Sequence, residues 1–129
     1  MKSFFILLFV TICTVSVFAQ QPQGKLSDTG KKPDKIIDQV KKEKAYLIDV
    51  RTAEEYNAGH LKYSRNIDFK SPDFKAKVSK LDKSRPVYLY CRSGNRSGKA
   101  VDTLKAVGFT KPWNIGGLDS LKAEGIPSE

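Results

Sequence analysis

Cysteine is nearly absent from this chain: of 129 residues only Cys13 and Cys91 carry a thiol, and there is a single histidine, His60, and a single tryptophan, Trp113. So few cysteines exclude a disulfide framework, and one histidine without ligating companions nearby leaves no metal site to propose. Acidic residues are also scarce, 14 against 23 lysines and arginines, which leaves a formal charge of +9. That surplus favours anionic partners. It is neither gathered into one block nor interleaved with aromatic residues, which argues against nucleic-acid binding. No internal repeat is visible.

The most apolar stretch stands at the start. Lys2 supplies a short basic opening, Phe4 to Val17 is almost wholly apolar, and Val17-Phe18-Ala19 offers the small residues a signal peptidase reads. The run is shorter than the ~20 residues of a spanning helix. The expectation is a signal peptide over residues 1–19, cleaved after Ala19, and a periplasmic or secreted product that touches the membrane only through this segment if it is uncleaved. Cys13 then leaves with the peptide, since Val10-Thr11-Ile12 lacks the small residues that precede a lipoprotein cysteine. The remainder suffices for one domain with one core.

Residues 20–32 are polar, with Pro22, Gly24 and Gly30, and read as a flexible leader, so order is expected from Pro33 over a domain of residues 33–129. Ile36, Ile37 and Val40 share a helical face, and Ala45 to Val50 is a continuous apolar run of the kind a buried parallel strand shows. Thr52 and Glu55 have capping-box spacing and open a short helix over Ala53 to Ala58. Further strands are expected at Arg65–Phe69, Val87–Tyr90 and Lys111–Ile115, and helices at Asp73–Leu81, after Ser97 and at Leu118–Ala123, with Gly116-Gly117 as a turn. Alternating strands and helices predict an α/β fold: a parallel sheet with helices on both faces.

Cys91 follows the strand VYLY and opens a six-residue polar loop, Cys91-Arg92-Ser93-Gly94-Asn95-Arg96, which leads into the amphipathic stretch from Ser97. Backbone N–H groups in such a loop and the positive end of the following helix stabilise a thiolate over a thiol. Once Cys13 is gone, Cys91 has no disulfide partner, and its polar neighbours predict an exposed, reactive sulfur rather than a core cysteine.

LIDVRTAEEYNAGHLKYSRNI, from Leu47 to Ile67, resembles the strand-helix segment of the rhodanese family, with its D-V-R, E-[FY] and G-H-[IL]. CRSGNRS, Cys91 to Ser97, resembles that family's catalytic loop, and NIGGLDSLKAEGIP its closing double glycine and helix. The resemblance runs from about Pro33 to Ser128. It implies a three-layer rhodanese-like fold on a five-stranded parallel sheet and a single-domain sulfurtransferase without a cofactor. Cys91 would be the nucleophile that attacks a small anionic sulfur donor such as thiosulfate, holds the sulfur as a persulfide, and passes it to cyanide or a thiol, possibly one on a protein. Arg92, Ser93, Gly94, Asn95, Arg96 and Ser97 would bind the anion or persulfide. Asp49 would support the loop or orient Arg96, with a structural hydrogen-bonding role as the alternative. The second reading is a sulfur-relay or binding module that acts with a protein partner.

Phosphatases sharing this fold use C-x5-R; here four residues separate Cys91 from Arg96, and Ser97 stands at the phosphatase position, so a sulfur atom suits the smaller ring better than a phosphoryl group. Arg51 and Glu55 are spaced for a helical ion pair, and His60 reads as a packing residue. The chain departs from the family pattern at Tyr63 and Ser64, where a small pair is usual and where Tyr63 is expected to reshape access to the site, and at Leu121, where tryptophan is common.

Overall fold

The computed structural model describes residues 24–129. Cys13 and the expected cleavage point after Ala19 lie outside the described residues. Helix α1 (Pro33–Lys41) leads into β1 (Tyr46–Asp49), α2 (Ala53–Asn57), β2 (Arg65–Asn66), α3 (Phe74–Val78), β3 (Val87–Cys91), α4 (Asn95–Ala106), β4 (Pro112–Gly117) and α5 (Leu118–Ala123). The strands form one parallel sheet in the order β2-β1-β3-β4.

Side-chain alternation along the central strands builds two cores, one on each face. Tyr46, Ile48 and Val50 of the β1 segment and Val87, Leu89 and Cys91 of β3 point to one face, where Phe74 and Val78 of α3 and Ala100 and Leu104 of α4 cover them. Leu47, Tyr88 and Tyr90 point to the other, against Ile36 of α1, Leu61 and Leu121 of α5. Each face therefore buries its own cluster, and the strands read as unbroken apolar runs because neither face meets water.

The sheet has four strands among the described residues, not the five the resemblance implied. Beside β4 lies a 3-10 turn, Leu26–Thr29, whose Leu26 is buried in the second cluster. A turn thus covers this side of the sheet. Packed structure accordingly begins before Pro33, because a single leucine among polar residues is enough to anchor the segment. Gly116 and Gly117 belong to β4 rather than to a turn, and a bulge at this point shifts the register between Leu89 and Tyr90. Trp113 sits half-exposed on β4, at the sheet edge. No described helix is long and apolar enough to cross a membrane.

Candidate active site

The thiol of Cys91 ends β3, and Arg92–Gly94 turn the chain into α4, which begins at Asn95. The expected six-residue loop is therefore shorter: Asn95, Arg96 and Ser97 form the first turn of the helix. Gly94 takes φ +90°, a left-handed conformation that costs glycine little, and this aims its N–H at the sulfur. That amide donates to Cys91 Sγ at 3.0 Å, and the Ser97 hydroxyl lies 3.4 Å from the same atom. Gly117 admits the turn from below, since a Cβ there would stand 2.4 Å from the Arg92 carbonyl oxygen.

Cys91 is fully buried, contrary to the exposed sulfur expected from its polar neighbours. The reason is strand alternation: Cys91 continues the inward face of Val87 and Leu89, while the polar residues Arg92, Ser93 and Asn95 take the solvent side. Burial pushes the thiol up, but hydrogen bonds from the Ser97 hydroxyl and from the amides of Ser97, Ser93 and Gly94 outweigh it, so the net shift is below the ordinary thiol value. Desolvation and donation are thus opposed at one atom, and donation wins.

The cations are arranged differently from the expected pattern. Arg96 is held by Glu55, Nη1 to Oε1 at 2.7 Å and Nη2 to Oε2 at 2.9 Å. The Arg96 bonds hold the Glu55 carboxyl down at about 2. Glu55 at the same time closes the capping box of α2 with Thr52, so the start of α2 is tied to the start of α4. Arg51 does not pair with Glu55. It forks onto Asp49 at 2.7–3.1 Å and donates to the Gly59 carbonyl at 2.7 Å. Asp49 is consequently committed to Arg51, not to Arg96 or the loop, because the chain folds back directly after β1 and brings the two side chains together. A cleft of about 400 Å³ is bounded by Glu55, Lys70, Arg92, Ser93, Asn95, Arg96 and Lys99, so the loop residues around Cys91 form a cationic basin open to solvent.

Sequence reasoning missed Lys70, Lys99 and Asn114. The last accepts from Ser97 and donates to the Gly94 carbonyl, and its position two residues ahead of Gly116 in a strand was the available signal. Tyr63 lies elsewhere: with Tyr46, Arg65 and Arg85 it lines a cleft at the opposite end of the sheet, so it does not shape access to Cys91. Ser64 is buried and bonded to the Leu61 carbonyl and the Tyr90 hydroxyl. His60 stacks on Tyr56 at 3.7 Å and bonds the Tyr56 carbonyl through Nδ1, a packing role. Among the described residues no three His, Cys, Asp or Glu side chains gather as a metal site.

Comparison with known proteins places this geometry. The rhodanese-like domain family matches residues 32–124. Uncharacterized protein YqhL of Bacillus subtilis is 40% identical over 74 residues, which are 57% of this chain and 57% of that protein, so the chain spans little more than half of YqhL. Thiosulfate sulfurtransferase PspE of Escherichia coli is 35% identical over 59% of this chain and 73% of its own length, and thiosulfate sulfurtransferase GlpE of Pseudomonas putida is 30% identical over 75% and 86%. A solved rhodanese with anions from E. coli superposes with a TM-score of 0.57 at 32% identity, covering 66% of this chain and 96% of that one. The Alr3790 protein from Anabaena sp. gives 0.66 at 27% identity over 77% and 90%. With a parallel α/β sheet, a cysteine loop entering a helix, and a family match across most of its length, this chain belongs to the rhodanese family.

Proposed function

We propose that this protein is an exported sulfurtransferase in which Cys91 carries the sulfur. The observation that supports this reading most is the convergence of the Gly94 amide and the Ser97 hydroxyl on one buried sulfur whose neighbours Arg92, Ser93, Asn95 and Arg96 line a cationic cleft. The Cys91 thiolate attacks the outer sulfur of a sulfane donor such as thiosulfate. The S–S bond of the donor breaks, and sulfite leaves with the bonding electron pair. The persulfide sulfur keeps a negative charge that the same donors hold. A thiol or cyanide then attacks the outer sulfur, and Cys91 departs as the thiolate, so no external oxidant or reductant is consumed. Arg92, Lys70 and Lys99 draw the anionic donor into the cleft, while Ser93, Asn95 and the loop amides surround the transferred atom. Arg96, neutralised by Glu55, holds the helix start in place. Asp49 supports the site at one remove by fixing Arg51 and the turn after β1.

The burial of Cys91 favours a second reading, in which a protein partner opens the loop and receives or delivers the sulfur. Incubation with thiosulfate followed by mass analysis separates the readings. Gain of one sulfur that is lost in Cys91→Ala, with thiocyanate formed when cyanide is added, supports the enzyme. No gained sulfur and no thiocyanate from wild type contradicts it. The segment 1–19 is proposed to direct export and to be removed after Ala19, tested by N-terminal analysis of the exported product.

A further inference from the structure

The Ser97 hydroxyl has one proton and two acceptors within reach: Asn114 Oδ1 at 2.7 Å and Cys91 Sγ at 3.4 Å. A hydroxyl donates once. The orientation of the Asn114 amide decides the competition, and two backbone groups fix that orientation. The Gly116 N–H donates to Oδ1 at 3.2 Å, and the Gly94 carbonyl accepts from Nδ2 at 2.9 Å. Turning the amide over would set donor against donor and acceptor against acceptor. Its space is also closed, because a Cβ on Gly24 would stand 2.4 Å from Asn114 Cγ and one on Gly98 3.1 Å from Nδ2. The bulge that ends the Leu89–Asn114 pairing, together with φ +105° at Gly116, turns the Gly116 N–H back onto this side chain. Oδ1 therefore always presents an acceptor to Ser97.

We infer that Asn114 is a positioning residue that withholds the Ser97 proton from Cys91 in the thiol state and yields it when the sulfur becomes negative, so that Ser97 and Asn114 act as a two-position switch on the nucleophile. In the thiol form Ser97 donates along the shorter contact to Asn114 and turns a lone pair toward the S–H. On ionisation the hydroxyl rotates to Sγ, and Oδ1 keeps the Gly116 N–H, so no buried polar atom is orphaned in either state. The thiol of Cys91 is thereby held in reserve until charge develops on it. This inference rests on the proposed nucleophile but not on sulfur transfer, because thiol ionisation is read without any sulfur donor. The charged groups around the sulfur are Arg96 with Glu55, Arg92, Lys70 and Lys99 of the cleft, and Asp49 with Arg51 at the end of β1. Among the described residues none of them hydrogen-bonds to Ser97 or Asn114 through its side chain, so they act alike on every variant below.

The sign of one substitution separates a switch from a brace. If Asn114 only braces the loop, Asn114→Ala loosens the donors and raises the pH at which Cys91 ionises. If it competes for the Ser97 proton, Asn114→Ala frees that proton and lowers the pH of half-maximal alkylation by about half a pH unit to one unit, the worth of one neutral hydrogen bond. The experiment measures iodoacetamide alkylation of the Cys91 peptide against pH in the full chain, for wild type, Asn114→Ala, Ser97→Ala and the double variant. The expected result is a downward shift in Asn114→Ala, an upward shift in Ser97→Ala, and no further effect of Asn114→Ala once Ser97 is absent. An upward shift in Asn114→Ala, or equal shifts with and without Ser97, overturns the inference. Should Asn114→Ala fail to fold, Asn114→Asp takes its place: a carboxylate pulls the proton harder, so ionisation moves up more in the Ser97 background than in Ser97→Ala. Equal movement in the two backgrounds overturns the inference.

Discussion

The two ends of the sheet carry clefts of similar size, about 320 Å³ beside the first residues of β1 and about 400 Å³ beside the last residue of β3, and both are lined by cations. What differs is direction. At the N-terminal end the Arg65 and Arg85 guanidiniums lie 5.3 and 5.4 Å from the centre of the Tyr46 ring, and the Lys41 and Lys62 ammoniums lie 5.6 and 5.4 Å from that of Tyr63. Such contacts are broad and worth only about 0.5–1 kcal/mol each at exposed positions. At the C-terminal end backbone amides and the Ser97 hydroxyl converge on one atom, Cys91 Sγ, and Arg96 at the start of α4 is neutralised by Glu55. Positive charge is therefore common to both ends, and donors converging on a thiol are found at one of them. The fold supplies the asymmetry, because a parallel strand delivers its last residue to the start of the next helix, where N–H groups are free, and its first residue to the region of helix C-termini.

Substitutions at the two ends test that contrast. The largest expected effect is at the sulfur: Cys91→Ala reduces sulfur transfer to background while the melting curve stays close to that of wild type. Next is Asp49→Ala, which leaves the Arg51 guanidinium buried without its carboxylate and lowers unfolding free energy by about 3–5 kcal/mol in a denaturant titration. Glu55→Gln follows, with a loss of about 1 kcal/mol, because its pair with Arg96 is partly exposed. Its pH dependence has a definite sign: a carboxyl depressed from 4.5 to about 2 stabilises the fold fully above 4.5 and loses that contribution as pH falls toward 2. Acid titration of wild type should show this decline, and Glu55→Gln should flatten it. The smallest effect is at the other end, where Arg85→Ala changes stability by about 0.5–1 kcal/mol and leaves sulfur transfer unchanged. A large loss of transfer in Arg85→Ala breaks the contrast between the two ends.

Some local signals in the sequence held and others misled, and long-range ones were silent. The Thr52–Glu55 box is legible because both partners lie within one turn, and the apolar runs at Ala45–Val50 and Val87–Tyr90 are legible because a strand covered on both faces has no polar phase. Beyond its box Glu55 reaches Arg96, 41 positions away, and Asn114 reaches Ser97, 17 positions away; neither pairing leaves a periodicity to read. Helical spacing pointed Arg51 at Glu55, but Arg51 precedes the helix and turns back to Asp49 instead. Leu26 escaped notice because one apolar residue in a polar stretch carries no pattern until β4 supplies its other half. The polar composition around Cys91 described the loop correctly and the sulfur wrongly, since strand alternation, not neighbour polarity, decides which way the side chain faces.

The central claim is that donors converging on Cys91 overcome its burial. Its most direct test is the pH dependence of alkylation at Cys91 in the wild-type chain, read on the Cys91 peptide by mass spectrometry. The account predicts a half-maximal rate at a pH below that of an ordinary unperturbed thiol measured alongside. A midpoint at or above that value would show desolvation to be the stronger influence and would contradict the account.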